Sequence, residues 1–316
     1  MSVTASAITN WSAFPGQMDT PNYPDLLNAL FLEVLKEQFK EGVSVLDCYR
    51  VKQSERAYEK FSGITGLGLV PQNDDAEDLP VDAPIQGFDY TVTPKTYRLS
   101  INITQQMRED NQFPEVVDMQ SSLGASATKT INYWAARAFN NGFTTAGDWL
   151  CSDGMYLFDS ARKSVDYSQC WSNLETGALS VATLAAARVN LLKRRDGRGL
   201  ITGGIMPEKL LIPPDLEQKA WELLNSSKKP EGAQNEANWL AGKFGIMVSP
   251  YLTSTTAWFV LGPRDGNYGL TWLWRKKPTP SSFKQGNNDD IFTQKIRFRF
   301  QTGCGVPYGL SGSTGA

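Results

Sequence analysis

Histidine is absent from the 316 residues of this chain, and with it the one side chain whose ordinary pKa lies near neutrality. Serine triads, imidazole acid–base pairs and histidine-bound zinc are thereby excluded, leaving carboxylates, thiols and cations to carry any chemistry. The four cysteines, Cys48, Cys151, Cys170 and Cys304, lie far apart with no C-x-x-C pair. That spacing indicates neither a zinc site nor a thioredoxin-like motif. They read as buried or incidental thiols, with a Cys151–Cys170 disulfide as the alternative, although a protein assembled inside a cell seldom keeps one.

Three further patterns invite a chemical reading. Gly63-Ile64-Thr65-Gly66-Leu67-Gly68 lacks the lysine of a phosphate-binding loop and the order of a dinucleotide fingerprint, so flexible turns explain it better. Asp74, Asp75, Glu77, Asp78 and Asp82 offer hard oxygens to a cation, but without the ligand order and sixth-position glycine of a calcium loop. A solvated or salt-bridging patch is the better account. Paired carboxylates for hydrolysis are a three-dimensional property, and nothing in the sequence selects a pair. The residues therefore nominate no catalytic, metal or cofactor site.

Two basic patches stand out. Alternation along Lys295-Ile296-Arg297-Phe298-Arg299-Phe300 sets Lys295, Arg297 and Arg299 on one face of a strand and three apolar side chains on the other. That basic face reads either as solvated and ion-paired or as facing DNA through phosphate attraction without base recognition. Lys193, Arg194, Arg195 and Arg198 form the second patch, which the C-terminal end of a helix explains equally well. Lys plus Arg total 31 against 33 Asp plus Glu, a formal net charge of −2. No global field draws the chain to nucleic acid, so any DNA contact must be local.

These residues need elements to position them. With 41% hydrophobic and 11% aromatic residues the chain supports a sizeable core, expected in two lobes. No apolar stretch is long enough to span a bilayer, and residues 1–20 lack the pattern of a secretory signal. Residues 1–23 read as an extended arm, followed by an amphipathic helix carrying Leu27, Leu30, Phe31, Val34, Leu35 and Phe39 up to Gly42. Residues 54–87 build no core. Phe88, Tyr90 and Val92, then Tyr97, Leu99, Ile101 and Ile103, alternate as two strands around Thr93-Pro94-Lys95.

From Pro114 to about Asn141 the spacing predicts the longest helix. Its stripe of small residues, Val117, Ser121, Gly124, Thr128, Ile131, Ala135 and Ala138, suits close approach by another backbone. Residues 143–178 look irregular. A helix runs from Leu179 to Lys193, a buried strand over Lys209–Ile212, and a helix capped by Asp215 carries Leu216, Ala220, Leu223 and Leu224. Further strands are expected at residues 245–248, 257–261, 270–274 and 291–301, giving an α+β fold.

The order of these segments resembles the major head subunits of tailed phages, particularly the Mu-like major head family with the Hong Kong 97 type fold. Tyr97 to Asp110 is similar to that family's passage from extended loop into long helix. Leu211-Ile212-Pro213-Pro214-Asp215-Leu216-Glu217 with Leu224-Asn225-Ser226 resembles its strand, proline turn and helix. Val248 to Leu252, Ala257 to Leu261 and Trp274 to Pro278 resemble further stretches.

The resemblance implies an arm and helix at residues 1–51, an extended loop at 52–100, and a peripheral domain at 101–179 and 286–316 whose spine helix spans about 114–141. An axial domain would occupy 180–285. It implies an inert coat subunit of the virion, assembled in the bacterial cytoplasm into pentamers and hexamers that close an icosahedral shell around double-stranded DNA. Its partners would be a separate scaffold protein, a portal, a decoration or cement protein and the packaged DNA, with no membrane and no cofactor. A core-free excursion finds its partners on another subunit, which makes Asp74, Asp75, Glu77 and Asp78 the expected intersubunit loop contacts. Lys295, Arg297 and Arg299 are then the DNA-facing candidates. The competing expectations are an encapsulin-like compartment around cargo enzymes and a carboxylate-based hydrolase.

Overall fold

The computed structural model describes residues 45–73, 78–110, 113–144, 150–165, 170–201, 204–228, 237–263, 269–284 and 291–316. The expected arm and first helix, and Asp74, Asp75 and Glu77 of the acidic run, lie outside them. A 3-10 turn at Val45–Cys48 leads to β1 (Arg50–Gln53), β2 (Glu59–Ile64), β3 (Gln86–Val92), β4 (Lys95–Thr104), the short α1 (Gln105–Glu109) and the long α2 (Phe113–Asn140). Then follow β5 (Arg162–Lys163), β6 (Cys170–Trp171), β7 (Leu174–Glu175), α3 (Val181–Leu192), β8 (Lys209–Ile212) and α4 (Glu217–Asn225). The chain closes with β9 (Gly245–Val248), β10 (Trp258–Leu261), β11 (Leu270–Lys284), β12 (Ile291–Cys304) and β13 (Leu310–Ser313). No helix of the described residues is long and apolar enough to cross a membrane.

Two compact units emerge. The first holds Arg98–Ser126 and Pro278–Arg297; the second holds the described residues up to Tyr97, Ala127–Lys277 and Phe298–Ala316. In the first, the buried Gln120 amide donates to Gln294 at 2.8 Å and the Thr293 hydroxyl meets Asn102 at 2.9 Å.

In the second unit a five-stranded sheet runs β7-β13-β10-β8-β9. Its interior strand β8 pairs antiparallel with β10 and parallel with β9. Leu210, Leu211 and Ile212 are each fully buried, as a strand covered on both faces requires. Leu210, Ile212, Trp258 and Val260 pack with Leu184, Ala187 and Leu191 of α3 and Ala220, Leu223 and Leu224 of α4. Phe259, one residue out of phase, faces Phe139 of α2 at 5.2 Å and Phe158 at 5.2 Å. Helix α3 starts where Ser180 and Thr183 cap each other's backbone N–H groups.

The small-residue stripe of α2 is buried from Gly124 onward, Thr128, Ile131, Ala135 and Ala138 included. Its purpose is internal. Lacking bulk, Ala135 lets the buried Tyr49 hydroxyl donate to its carbonyl at 2.6 Å, and Tyr49 meets Trp272 edge-on at 5.6 Å. Trp272 stacks on Phe300 at 4.3 Å, Phe300 on Tyr97 at 4.6 Å, and Tyr97 contacts Trp134 of the helix at 5.7 Å.

Several expectations need correction. The alternating segments 88–92 and 97–103 are strands on either side of a turn, as expected, but they belong to different sheets: β3 joins β2, and β4 lies beside β12. The intervening Thr93-Pro94 suits neither of the two-residue hairpin turns, which need positive φ. Strand β2 lies in the stretch read as building no core. Pairing with β3 creates it, through Phe61 stacked on Tyr90 at 5.1 Å and the Lys60–Asp89 ion pair at 2.8 Å. Gly63 and Gly87 meet so closely there that a Cβ on either would come within 3.2 Å of the other strand. Asp215 does not cap α4: Pro214 opens a 3-10 turn, the helix begins at Glu217, and Leu216 precedes it without a side-chain bond. Strands β11 and β12 run to Lys284 and Cys304, past the expected ends at 274 and 301.

The disulfide partner is also different. Cys151 bonds to Cys304 across a Cα–Cα distance of 4.5 Å, and Cys170 is an exposed free thiol. Sequence proximity favoured the wrong pair, because β12 returns 153 residues later to the loop after α2. Beside this bond the irregular region 150–165 is organised by Arg162, fully buried and paired with buried Asp153 at 2.5 Å. Its Nε donates to Asn173 at 3.1 Å and its Nη2 to the carbonyls of Tyr156 and Leu157. Burial pulls the Arg162 pKa down while Asp153 opposes the shift.

Two stability predictions follow from this corner. Arg162→Ala strands the Asp153 carboxylate and is expected to cost about 3–5 kcal/mol in urea denaturation, against under ~1 kcal/mol if the loop is held by other contacts. Reducing the Cys151–Cys304 bond releases a long loop and is expected to cost about 2–5 kcal/mol, seen as a lower Tm in reductant that Cys304→Ser reproduces.

Candidate assembly surfaces

Strands β2 and β3 form a two-stranded extension of the second unit, and the chain between them leaves it as a loop. Thr65 closes the neck, exchanging bonds with Ile85: its N–H donates to the Ile85 carbonyl at 3.0 Å and its Oγ1 accepts from the Ile85 N–H at 3.0 Å. Further out, Asp82 accepts the Gly68 N–H at 2.7 Å and Arg198 Nη1 at 2.5 Å, while the Ala83 carbonyl accepts from Arg198 Nη2. The Arg198 and Gly68 bonds hold the Asp82 carboxyl at about 2, below its ordinary value.

The loop so pinned exposes apolar side chains: Leu67, Leu69, Val70, Leu79 and Val81 are 59%, 81%, 94%, 83% and 95% exposed. Single exposed leucines need no explanation, but such a run exceeds the scattered apolar side chains of an ordinary surface. Of the acidic candidates, Asp78 is described and exposed, with its backbone carbonyl accepting from the Asn73 side chain at 3.4 Å. Asp74, Asp75 and Glu77 lie outside the described residues.

The basic strand alternates as its sequence implies. Ile296, Phe298 and Phe300 are 1%, 3% and 1% exposed, Arg297 is exposed, and Lys295 and Arg299 are half-buried. The second basic patch is taken apart instead. Arg194 is buried over the Trp171 ring at 4.4 Å, Arg195 donates to the Gly199 carbonyl at 2.8 Å, and Arg198 holds Asp82. Sequence reasoning could not find the Arg198–Asp82 contact, which joins residues 116 apart.

A cavity of about 510 Å³ lies in the second unit, lined by Asp47, Cys48, Arg50, Lys52, Lys60 and Asp196 among others. Its thiol is unreactive: burial pushes Cys48 to about 12, and its Sγ sits 3.5 Å from Met247 Sδ. Among the described residues no group of three acidic or thiol side chains gathers to hold a metal.

A long helix laid on a sheet, a five-stranded second sheet and a pinned, apolar extension describe a structural subunit of the Hong Kong 97 type. Residues 89–310 match the family model for phage capsid protein, and the chain belongs to that family. Solved structures share the fold. The capsid of Ralstonia phage GP4 is similar at TM-score 0.56 and 11% identity, over 84% of this chain and 86% of that one. The procapsid protein of bacteriophage JBD30 is similar at 0.50 and 16%, over 93% and 76%. The virus-like particle of Pyrococcus furiosus is similar at 0.51 and 10%, over 92% and 99%. No curated protein matches the chain in sequence.

The pinned neck makes a pH prediction. Asp82 is held below its ordinary value, so its contribution is fully present above about 4 and is lost as pH falls through about 2. Limited proteolysis of the loop is expected to be unchanged from pH 7 to pH 4 and accelerated in Asp82→Ala throughout that range. Equal cleavage of the two proteins would show that Arg198 does not restrain the loop.

Proposed function

We propose that this chain is the major coat subunit of a tailed phage, catalytically inert, whose copies close an icosahedral shell around double-stranded DNA. The observation that carries the reading is the pinned extension, whose apolar side chains have no core of their own to enter. Membership of the capsid family supports the same conclusion. In this reading residues 1–51 form an arm and helix, 52–100 the loop, 101–179 with 286–316 the peripheral domain and 180–285 the axial domain. The copies meet in pentamers and hexamers, with a scaffold, a portal and a decoration protein as partners, and assembly takes place in the bacterial cytoplasm before the subunit becomes part of the virion. Many modest contacts repeated by symmetry stabilise the whole.

The acidic run serves here as an intersubunit contact, and Lys295, Arg297 and Arg299 are the sequence's candidates for touching DNA. Electron microscopy of the purified protein with its scaffold is expected to show closed particles, and particles from infected cells to protect double-stranded DNA from nuclease. Small oligomers under every condition would sink the coat reading; enclosed enzymes in place of DNA would transfer it to an encapsulin-like compartment. Replacing Asp74, Asp75, Glu77 and Asp78 with Ser is expected to impair assembly while leaving the subunit folded.

A further inference from the structure

We propose that Cys151 and Cys304 form an oxidation site, a dithiol while the subunit is built and a disulfide afterwards, which clamps the seat of the β2–β3 extension to the corner after α2. The timing rests on the coat reading, because a subunit that folds and assembles in a reducing cytoplasm carries thiols. The chemistry belongs to the chain alone.

The corner holds the two cysteines together without their bond. The Ser152 N–H donates to the Cys304 carbonyl at 3.0 Å, and the Cys151 N–H to the Met155 carbonyl at 2.9 Å. Arg162 adds its bonds to Asn173 and to the carbonyls of Tyr156 and Leu157. With the Cα atoms held 4.5 Å apart, oxidation needs no rearrangement of the backbone.

One sulfur is set up to react. Arg162 Nη2 lies 3.6 Å from Cys151 Sγ, and a neighbouring guanidinium favours the thiolate, the form that attacks an oxidant. Cys48 has the opposite surroundings, since burial pushes it to about 12 and keeps it a thiol. Ser152 and Gly305, next to the two cysteines in the chain, line the cavity of about 510 Å³, which brings a small oxidant to the pair. A peroxide fits this route and balances the reaction. The Cys151 thiolate attacks one peroxide oxygen, the O–O bond breaks, and the leaving hydroxide takes up a proton to become water, so that Cys151 is left as a sulfenic acid. Cys304 gives up its proton and attacks that sulfur, expelling the hydroxyl as a second water. Two thiols are oxidised to one disulfide while the peroxide is reduced to two waters.

The bond bears on the root of the extension. Cys304 lies between Gly303 and Gly305, and the Tyr90 ring of β3 fills the space over both: a Cβ at Gly303 would stand 2.9 Å from Tyr90 Cε2, and one at Gly305 3.3 Å from Tyr90 Cε1. Val92 meets Gly303 as well. Tyr90 in turn stacks on Phe61 of β2 and bonds Thr271. Reduced, this seat is tied to the corner by hydrogen bonds; oxidised, it is tied by a covalent bond between residues 153 apart.

Hydrogen peroxide is the probe. Added to the reduced, full-length chain, it is expected to consume two of the four thiols, giving a Cys151–Cys304 crosslinked peptide while Cys48 and Cys170 are still alkylated by N-ethylmaleimide after denaturation. In Cys304→Ser the reaction should stop at a Cys151 sulfenic acid, captured by dimedone. Hydrogen exchange of Glu59–Ile64 and Gln86–Val92 is expected to slow about tenfold when the wild-type chain is oxidised and to stay unchanged in Cys304→Ser. Comparing the wild-type chain with itself guards against a misfolded variant. Oxidation at Cys170 that leaves Cys151 and Cys304 as thiols, or equal exchange in both redox states, refutes the site. For the timing, infected cells quenched in acid and then alkylated should show four thiols per coat subunit, and released particles treated with peroxide two. A disulfide already present before lysis refutes the switch. Absence of particles sinks the coat reading alone, since two-thiol oxidation and slowed exchange are read on the isolated chain.

Discussion

The contact between one long helix and one face of a sheet governs this molecule. Tyr97, Phe300, Trp272 and Tyr49 form a continuous aromatic run beneath α2, and the helix answers with small residues so that the Tyr49 hydroxyl reaches its backbone. Aromatic pairs of this kind contribute about 0.5–1.5 kcal/mol each beyond the area they bury. A sheet with one face so committed has no freedom on the other. Residues out of phase with the aromatics lie on the other face, which in β11 and β12 carries arginines and lysines as well as the buried Thr271 and Leu273.

The remaining interior follows a second rule, that a buried charge needs an answering group. Arg162 meets this within its own loop by taking Asp153, Asn173 and two carbonyls. It turns a stretch without regular structure into a fixed platform beside the Cys151–Cys304 bond. Arg198 meets it by reaching out to Asp82 and tethering the extension. The Nε atoms of Arg275 and Arg299 have no hydrogen-bond partner among the described residues.

Much of this was legible in the chain. The long helix was expected to within a residue at each end, because small and apolar residues recur at helical spacing. The strand Lys209–Ile212 was legible from a continuous apolar run closed by prolines. The two faces of β12 were readable from strict alternation. Strands β2 and β13 were not. Ser62-Gly63-Ile64 and Leu310-Ser311-Gly312-Ser313 carry little strand preference, and partners from elsewhere recruit them: β3 for one, β10 and β7 for the other. Gly312 is needed because Phe158 fills the space where a side chain would stand.

By itself the sequence determined the type and order of the elements on which its family resemblance rests. A chain without histidine, with scattered cysteines, ordered apolar segments and one acidic excursion has the elements of a coat subunit and none of a familiar active site. Those features are local, written in residue type and in periods of two and 3.6. Only the tertiary structure decided the partners: Cys304 and not Cys170 for Cys151, Asp82 for Arg198, Asp153 for Arg162, and no carboxylate for Arg275 or Arg299 among the described residues. Such pairings join residues up to 153 positions apart. Chain order carries no record of them until the sheets and helices have packed.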